Sequence, residues 1–453
     1  MMFPLPLAPF EEYMLIDDRP THPMSFFLKL TFSGPCDPAA LGIALPLVLQ
    51  RHPLLSATIE EPKRNQLKWS HDRQEPIDVT WVSGDGPMRA THIDLYTEPG
   101  LRISARRLNQ ETEFVLQFHH SCCDAIGALR FLEDLLVAYA AAVAGDNGAN
   151  SFRSIDNRRL LDRSRFGMTR GKLLRTLHKQ AVGLLGVRQF LMRQPVPIQP
   201  VDFDTANAPL SSGFPAMHAH QFSKSETAGI VTAARESGTT VNDLLVRDLF
   251  LALGDYRAQR QFANTGEWLR LLIPINLRSQ DNELLSAANA VSMIFLDRQP
   301  HAFDDGTALL VGINQEMELI KQKRLGLIFP LALRFRRSFP GAIARLRRMS
   351  KQKICRATAV LSNLGRPLLE VPLPRRDGKI VAAEMTLERF DFLPPIRPYT
   401  LAALGAFTYA DRMQISLHCD AHELADVDAK ELLKKYIDRL GKTALGDGLA
   451  NPR

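Results

Sequence analysis

The chain has 453 residues, of which 45% are hydrophobic and 23% are charged, as is ordinary for a soluble globular protein. This composition excludes collagen-like, fibrous and disordered classes, and the length suggests two or three domain-sized units. No run of about 18 uncharged apolar residues occurs, so a membrane-spanning helix is not expected. Residues 1–12 lack the basic and apolar regions of a signal peptide.

Cysteine usage indicates a reducing compartment. The five cysteines are scattered and form no CxxC pair. They therefore predict neither a disulfide framework nor a zinc site. We expect a cytoplasmic protein without a structural metal.

The net charge of +7 is concentrated in two stretches. Residues 153–193 contain 11 Lys/Arg and two acidic residues, and residues 321–356 contain 12 Lys/Arg and no acidic residue. Three interpretations stay open: a docking surface for CoA or an acidic carrier protein, peripheral contact with an anionic membrane, or a solvated face offset by acidic neighbours. No nucleic-acid partner is expected, because no nucleic-acid-binding motif accompanies the charge.

The first unit covers residues 1–150. Its first predicted helix is capped by Asp37 and extends to residue 50. Pro46 inside it should kink or shorten this helix. Alternating apolar residues predict a strand over 112–120, and spaced leucines predict a helix over 128–143.

A basic connector, residues 151–214, precedes a second unit over residues 215–453. Two capping-box patterns open helices in this unit. They are Ser223 with Glu226 and Thr240 with Asp243. Strands are predicted over 269–275, 291–296 and 413–419, and a last helix is predicted from Asp426 as its cap to residue 440. Both units thus alternate strands with amphipathic helices, which predicts an α/β fold with mixed sheets.

The most informative motif follows the strand over 112–120. His119 and His120 are adjacent, and Asp124 stands four residues after the second histidine, where the next helix opens. A strand-to-turn junction is a common place for an exposed functional side chain. An unperturbed histidine has a pKa near ~6.5, so His120 is a candidate general base near neutral pH. The alternative is a histidine packed in the core.

This HHxxxD pattern resembles the signature of the chloramphenicol acetyltransferase-like acyltransferases. That superfamily includes nonribosomal peptide condensation domains, wax ester synthases, polyketide-associated acyltransferases and plant BAHD enzymes. The usual motif is HHxxxDG, whereas Ala125 stands here at the glycine position and Gly127 follows two residues later. Further similar segments are Pro9-Phe10-Glu11, Arg51-His52-Pro53-Leu54-Leu55 followed by Ser56 in place of the usual arginine, Thr240-Val241-Asn242-Asp243, Pro274-Ile275-Asn276-Leu277-Arg278 with Asn289, and Leu361-Ser362-Asn363-Leu364-Gly365. The DFGWG signature of the BAHD branch is absent.

The resemblance implies two chloramphenicol acetyltransferase-like subdomains, arranged as a V-shaped pseudodimer with a central channel. It implies a standalone acyltransferase that moves an acyl group from a thioester to a small-molecule alcohol or amine. CoA or the phosphopantetheine of an acyl carrier protein would serve as co-substrate, and neither a bound cofactor nor a metal is expected. An alternative is a non-catalytic condensation-like protein that binds a carrier protein or a lipid, for which Ala125 and Ser56 are the supporting departures.

The resemblance also suggests roles for the other site residues. Asp124 either caps the following helix or forms a structural salt bridge with Arg278, and both readings make it a scaffold residue. His119 should point to the opposite strand face and support the site. Substrate-binding candidates are the polar residues Asn276, Ser362 and Asn363, although Ser-Asn before Gly is also common turn chemistry.

A rival hypothesis places a nucleophilic cysteine beside the histidine. Cys122 and Cys123 lie in the motif, but nucleophile and base normally meet through the fold rather than through adjacency in sequence. A metal site built on His119 and His120 is also disfavoured, because adjacent strand residues point in opposite directions.

Overall fold

The computed structural model describes residues 3–63, 66–71, 76–84, 86, 88, 90–146, 152–166, 171, 183, 186–201, 215–278, 284–337, 339 and 341–447. The strands are β1 (Leu5–Pro6), β2 (Ser25–Ser33), β3 (Thr58–Glu60), β4 (Lys68–Ser70), β5 (Val79–Trp81), β6 (Leu101–Leu108), β7 (Glu111–His119), β8 (Met217–Gln221), β9 (Leu269–Asn276), β10 (Val291–Arg298), β11 (Ala359–Asn363), β12 (Arg375–Arg376), β13 (Lys379–Ala382), β14 (Met385–Leu393), β15 (Ala402–Tyr409) and β16 (Arg412–Cys419). The α-helices are α1 (Pro9–Asp17), α2 (Pro38–Arg51), α3 (Ala125–Val143), α4 (Lys224–Glu236), α5 (Val241–Gln259), α6 (Gly306–Lys323), α7 (Ile328–Arg337), α8 (Ala342–Ser350) and α9 (Asp426–Ala444).

Two mixed sheets organise the chain. The first has the order β12-β13-β14-β2-β7-β6-β5, antiparallel except between β5 and β6. The second has the order β10-β9-β11-β15-β16-β8, in which β11 runs parallel to both of its neighbours. Helices α2 and α3 pack together beside the first sheet, and α5, α6 and α9 cover the second. Each sheet thus has its own apolar core.

Three strands from the second half of the sequence, β12, β13 and β14, belong to the first sheet. β14 pairs antiparallel with β2, and Phe390 lies opposite Leu30. The central strand of the first sheet, β2, thus pairs with a strand from the second half of the chain. Residues 375–393 were predicted to belong to the C-terminal lobe, 215–453, but their strands extend the N-terminal sheet. A strand's partner is decided by long-range burial, which a local pattern does not report.

Helix boundaries mostly follow the predicted capping patterns. Both capping boxes are present, at Ser223 and at Thr240. Of the kink or shortening expected at Pro46, the shortening is wrong, since α2 continues past Pro46 to Arg51. Pro46 lies on the exposed face of the helix. The cap expected at Asp426 is also wrong, since Ala425 is the N-cap of α9 and Asp426 is its first residue.

An apolar cluster joins the two lobes. It contains Phe10 and Met14 of α1, Met24, Leu272 of β9 and Val360 of β11. Within the ranges given above, no helix is long and apolar enough to cross a bilayer. The same ranges contain no group of three or more His, Cys, Asp or Glu side chains placed to hold a metal ion.

Candidate active site

A cavity of about 130 Å³ lies where the two lobes meet. The first sheet contributes Phe26 and Phe392, and the second contributes Leu272, Val291 and Val360. Most of the lining is apolar. The polar groups on its wall are those of Tyr13, Asp17, His120, Asp124, Asn276, Arg278, Ser292, Ser362, Asn363 and Arg397. Six of the seven predicted site residues therefore meet at one cavity, and His119 lies behind it.

His120 stands just after the last residue of β7. Its backbone N–H donates to the Met24 carbonyl at 2.7 Å, which continues the β2–β7 pairing by one residue. The centre of its ring lies 5.2 Å from that of Phe26, edge to face. Phe118, on the same face of the strand, stacks on Phe26. The Asn289 side chain donates to the His120 carbonyl at 2.5 Å and to the Ser121 carbonyl at 3.0 Å. Both lobes thus fix the backbone that carries this imidazole.

The electrostatic setting keeps His120 neutral. Burial lowers the pKa of His120, because an imidazolium is poorly solvated among apolar neighbours. Its Nδ1 is buried and makes no hydrogen bond to the residues that the structure describes. Since the ring lines the cavity, Nε2 is the nitrogen available to a bound molecule.

His119 is fully buried on the opposite side of the strand. Its Nδ1 accepts from the Ser121 N–H at 3.1 Å, and its Nε2 lies 3.4 Å from Asp18 Oδ2. Asp18 also accepts from the Met24 N–H at 2.7 Å and contacts His92 at 2.5 Å. Burial opposes ionisation, but the contacts with His119 and His92 hold the pKa of Asp18 well below its usual range. Asp18 thus supports both the His119 ring and the segment that pairs with His120.

Asp124 both caps α3 and forms an ion pair. Its Oδ1 accepts from the Gly127 N–H at 2.8 Å, as an N-cap does. Arg278 donates to each carboxylate oxygen at 2.8 Å, and the Ala290 N–H donates to Oδ2 at 2.8 Å. Burial opposes the charge on Asp124, but Arg278 outweighs burial and lowers the pKa of Asp124. All acceptor positions are used for scaffolding.

The three remaining polar candidates line the cavity and differ in how far their side chains are already hydrogen-bonded. Asn276 Oδ1 accepts from the Arg278 N–H at 3.0 Å, and Asn363 Oδ1 accepts from the Gly365 N–H at 2.9 Å. Both amides therefore serve local turns. Ser362 is different, because its hydroxyl makes no hydrogen bond within the described part of the chain. Its hydroxyl is therefore available to a ligand, as is the Asn276 amide nitrogen, which donates to no residue that the structure describes.

Solved structures match almost the whole chain. It superposes on the first condensation domain of the calcium-dependent antibiotic synthetase with a TM-score of 0.71 and 12% identity, covering 98% of this chain and 97% of that one. It superposes on polyketide synthase associated protein 5 from Mycobacterium tuberculosis with a TM-score of 0.65 and 15% identity, covering 98% and 99%. For trichothecene 15-O-acetyltransferase from Fusarium sporotrichioides, the TM-score is 0.70 and the identity 11%, covering 96% and 94%. The chain has the condensation-domain fold. The predicted fold class, with two chloramphenicol acetyltransferase-like subdomains and mixed sheets, is confirmed.

No protein-family model matches the chain, and no curated protein matches its sequence. The condensation-domain fold therefore rests on three-dimensional similarity, together with the short motifs.

The condensation-domain fold buries the two cysteines of the motif away from the cavity. Cys122 and Cys123 are fully buried and do not belong to its lining. Burial raises the pKa of each thiol well above its usual value, so the reactive thiolate is disfavoured. Cys122 instead fills the space beside Gly100, where an added Cβ would lie 1.9 Å from its sulfur. These positions disfavour a cysteine nucleophile.

Sequence reasoning missed a charged group on the cavity wall. Asp17, at the end of α1, lies 2.6 Å from the Arg397 guanidinium, and both side chains line the cavity. Arg397 also stands 5.9 Å from the Tyr13 ring centre. Burial raises the pKa of Tyr13, so its hydroxyl stays protonated. Asp17 and Arg397 are 380 positions apart in the chain, and no local signal links them.

Proposed function

We propose that the chain is an acyltransferase that moves an acyl group from a thioester to an alcohol or an amine, with His120 as general base. The observation that supports this most directly is that the His120 side chain lines a cavity shared by both lobes. Burial also lowers its pKa, which favours the neutral form that a general base needs. The donor is acyl-CoA or an acyl group on the phosphopantetheine of an acyl carrier protein. Each is a co-substrate rather than a resident cofactor.

The proposed step begins with proton transfer to His120. Nε2 takes the proton of the acceptor hydroxyl or amine while its oxygen or nitrogen attacks the thioester carbonyl. The carbon–sulfur bond then breaks, and the imidazolium returns the proton to the departing thiolate. The products are an ester or amide and a free thiol. Such a base contributes about 10²–10⁴-fold, and the rest comes from holding both substrates together.

Ser362 is the proposed donor to the developing oxyanion. Its hydroxyl reaches the cavity wall without another hydrogen-bond partner among the described residues. A preorganised donor stabilises charge that appears only in the transition state. Asn363 is less suited to this role, because its amide nitrogen donates to Asn242 Oδ1 at 3.4 Å. The amide nitrogen of Asn276 is a second potential donor at the wall, since only its oxygen is engaged in the turn. The apolar lining suits an acyl chain.

Product analysis tests the proposal. Purified protein is incubated with a panel of acyl-CoA and acyl-carrier thioesters and with alcohol and amine acceptors, and products are identified by mass spectrometry. We expect one combination to give product and His120→Ala to lose about 10²–10⁴-fold in rate. His301→Ala is the matched control, because His301 is exposed and remote from the cavity lining.

Two outcomes overturn the proposal. Equal product formation by His120→Ala removes histidine catalysis. Binding of a carrier protein or lipid without any thioester consumption by the wild-type chain assigns it instead to the non-catalytic alternative.

A further inference from the structure

A helical segment next to the cavity has an apolar inner face. On α7, the Phe329 ring lies 5.9 Å from Phe10 and 5.2 Å from Tyr13, edge to face in both cases. Phe10 and Tyr13 line the cavity. Leu333, one turn further along α7, is buried in the same interlobe cluster. These contacts bury the side of α7 that faces the cavity.

Two aromatic side chains are exposed, one on α7 and one just after its end. Phe335 is 67% exposed and Phe339 is 53% exposed, and their rings meet edge to face at 5.0 Å. A single exposed apolar residue needs no explanation, but two in contact form a patch. Aromatic side chains are typical of helices that lie in a membrane interface.

Exposed basic residues lie on both sides of this aromatic pair in the sequence. Arg334, Arg345, Arg347, Arg348 and Lys351 are exposed, and none of them forms an ion pair with a carboxylate that the structure describes. The sequence offers no local carboxylate, since no acidic residue occurs over 321–356. Lys321 of the same stretch does pair with Glu318, so the lack of a described carboxylate partner concerns these five side chains.

The other basic stretch, residues 153–193, differs. Five of its arginines contact carboxylates, and one of these contacts is fully buried. The pairs are Arg153–Glu370, Arg159–Asp156, Arg163–Glu11, Arg165–Asp162 and Arg193–Asp297. The buried pair of Arg163 with Glu11 serves the fold, and the other carboxylates offset part of the charge of this stretch.

We propose that the outer face of α7 and α8 docks on an anionic lipid surface. Phe335 and Phe339 enter the interface, and the surrounding arginines contact the headgroup phosphates. An acidic protein partner would satisfy the charge but would not need an exposed aromatic pair, so the lipid surface fits both observations. The proposal concerns binding alone and does not rest on the proposed acyltransferase function.

Vesicle co-sedimentation tests this binding. Vesicles of equal parts phosphatidylcholine and phosphatidylglycerol are compared with pure phosphatidylcholine at low and high salt. We expect the wild-type chain to sediment only with the anionic vesicles and only at low salt. Each lost basic residue weakens such binding by about fivefold, so Arg347→Gln with Arg348→Gln should cost about 25-fold. Phe335→Ser with Phe339→Ser should also release the protein.

The matched control changes the same number of charges elsewhere. Arg158→Gln with Arg165→Gln removes two exposed arginines of the other stretch and should leave sedimentation unchanged. Thermal melts of all variants should overlap, because the altered side chains are exposed. His120→Ala should sediment like the wild-type chain, which separates binding from catalysis.

Three results overturn the proposal. The first is a wild-type chain that stays in the supernatant with anionic vesicles at low salt. The second is an equal loss of sedimentation in the control variant, which indicates non-specific charge attraction. The third is tight binding of an acidic acyl carrier protein, lost in the Arg347/Arg348 variant, without vesicle binding, which assigns the face to a protein partner.

Discussion

Arg278 donates to both carboxylate oxygens of Asp124 at 2.8 Å, although 154 residues separate them in the chain. Both side chains are 4% exposed. This ion pair ties the start of α3 in one lobe to the segment after β9 in the other, at the cavity that His120 also lines. Breaking a buried pair leaves its partner charge uncompensated, which is more costly than the pair is worth.

Substitutions at Asp124 separate its two roles. Asp124→Asn keeps a good N-cap but removes the charge, and we expect a loss of about 3–5 kcal/mol in the free energy of unfolding. Asp124→Ala should lose about 1 kcal/mol more, because the cap is also removed. Denaturant unfolding monitored by circular dichroism measures both losses. Normal stability of Asp124→Ala with lost turnover would contradict the scaffold role.

The pH dependence of the reaction should report the His120 imidazole. Burial lowers its pKa below the ordinary 6.5, so the neutral base persists into mildly acidic solution. We expect kcat/KM to fall on the acid side with a midpoint below 6.5. Initial rates across pH, with circular dichroism confirming that the fold is intact at each point, measure this limb. A midpoint at or above 6.5 would oppose the assignment.

The same shift has a consequence for stability. A histidine whose pKa is lower in the folded state binds fewer protons there than in the unfolded chain. Its contribution to the free energy of unfolding is therefore fully present above the unfolded pKa of 6.5. This contribution is lost as the pH falls towards the pKa of the folded state, because the unfolded chain then binds the proton more readily. His120→Gln should accordingly flatten the decline of the free energy of unfolding below pH 6.5. Urea titrations of the two proteins at matched pH values compare the slopes.

Local sequence patterns predicted those parts of the site that depend on local chemistry. The strand alternation placed His120 on the Phe118 face, and the Ser223 and Thr240 capping boxes marked helix starts that the structure confirms. These signals work because caps and alternation involve residues within four positions of one another.

Contacts made through the fold were not predictable in the same way. The pairing of β14 with β2 and the contact between Asp17 and Arg397 join residues hundreds of positions apart. The support that Asp18 gives to His119 is of the same kind. Only the resemblance to a known motif supplied a long-range contact in advance, that of Asp124 with Arg278.

The cysteines of the motif should be dispensable for turnover. Both thiols are buried outside the cavity lining, and burial disfavours their thiolates. We expect a Cys122→Ala/Cys123→Ala protein to keep the wild-type kcat while losing about 1 kcal/mol of stability per site from the small cavities left behind. Kinetics and thermal melts separate the two effects. Loss of turnover in a fully folded double variant would revive the nucleophilic cysteine.

Gly127, near the start of α3, lies close to the Ala288 backbone of the other lobe. An added Cβ at Gly127 would lie 3.0 Å from the Ala288 nitrogen and 3.1 Å from its carbonyl oxygen, so the backbone itself would have to move. Gly127→Ala should therefore cost about 1–3 kcal/mol and disturb the Asp124 cap next to it.

Gly42→Ala in α2 is the matched control, since nothing lies within 4 Å of its added Cβ. There the lower entropy of the unfolded chain should raise stability by about 0.4–1 kcal/mol. Paired thermal melts measure both changes, and equal behaviour of the two variants would show that α3 does not need this close approach.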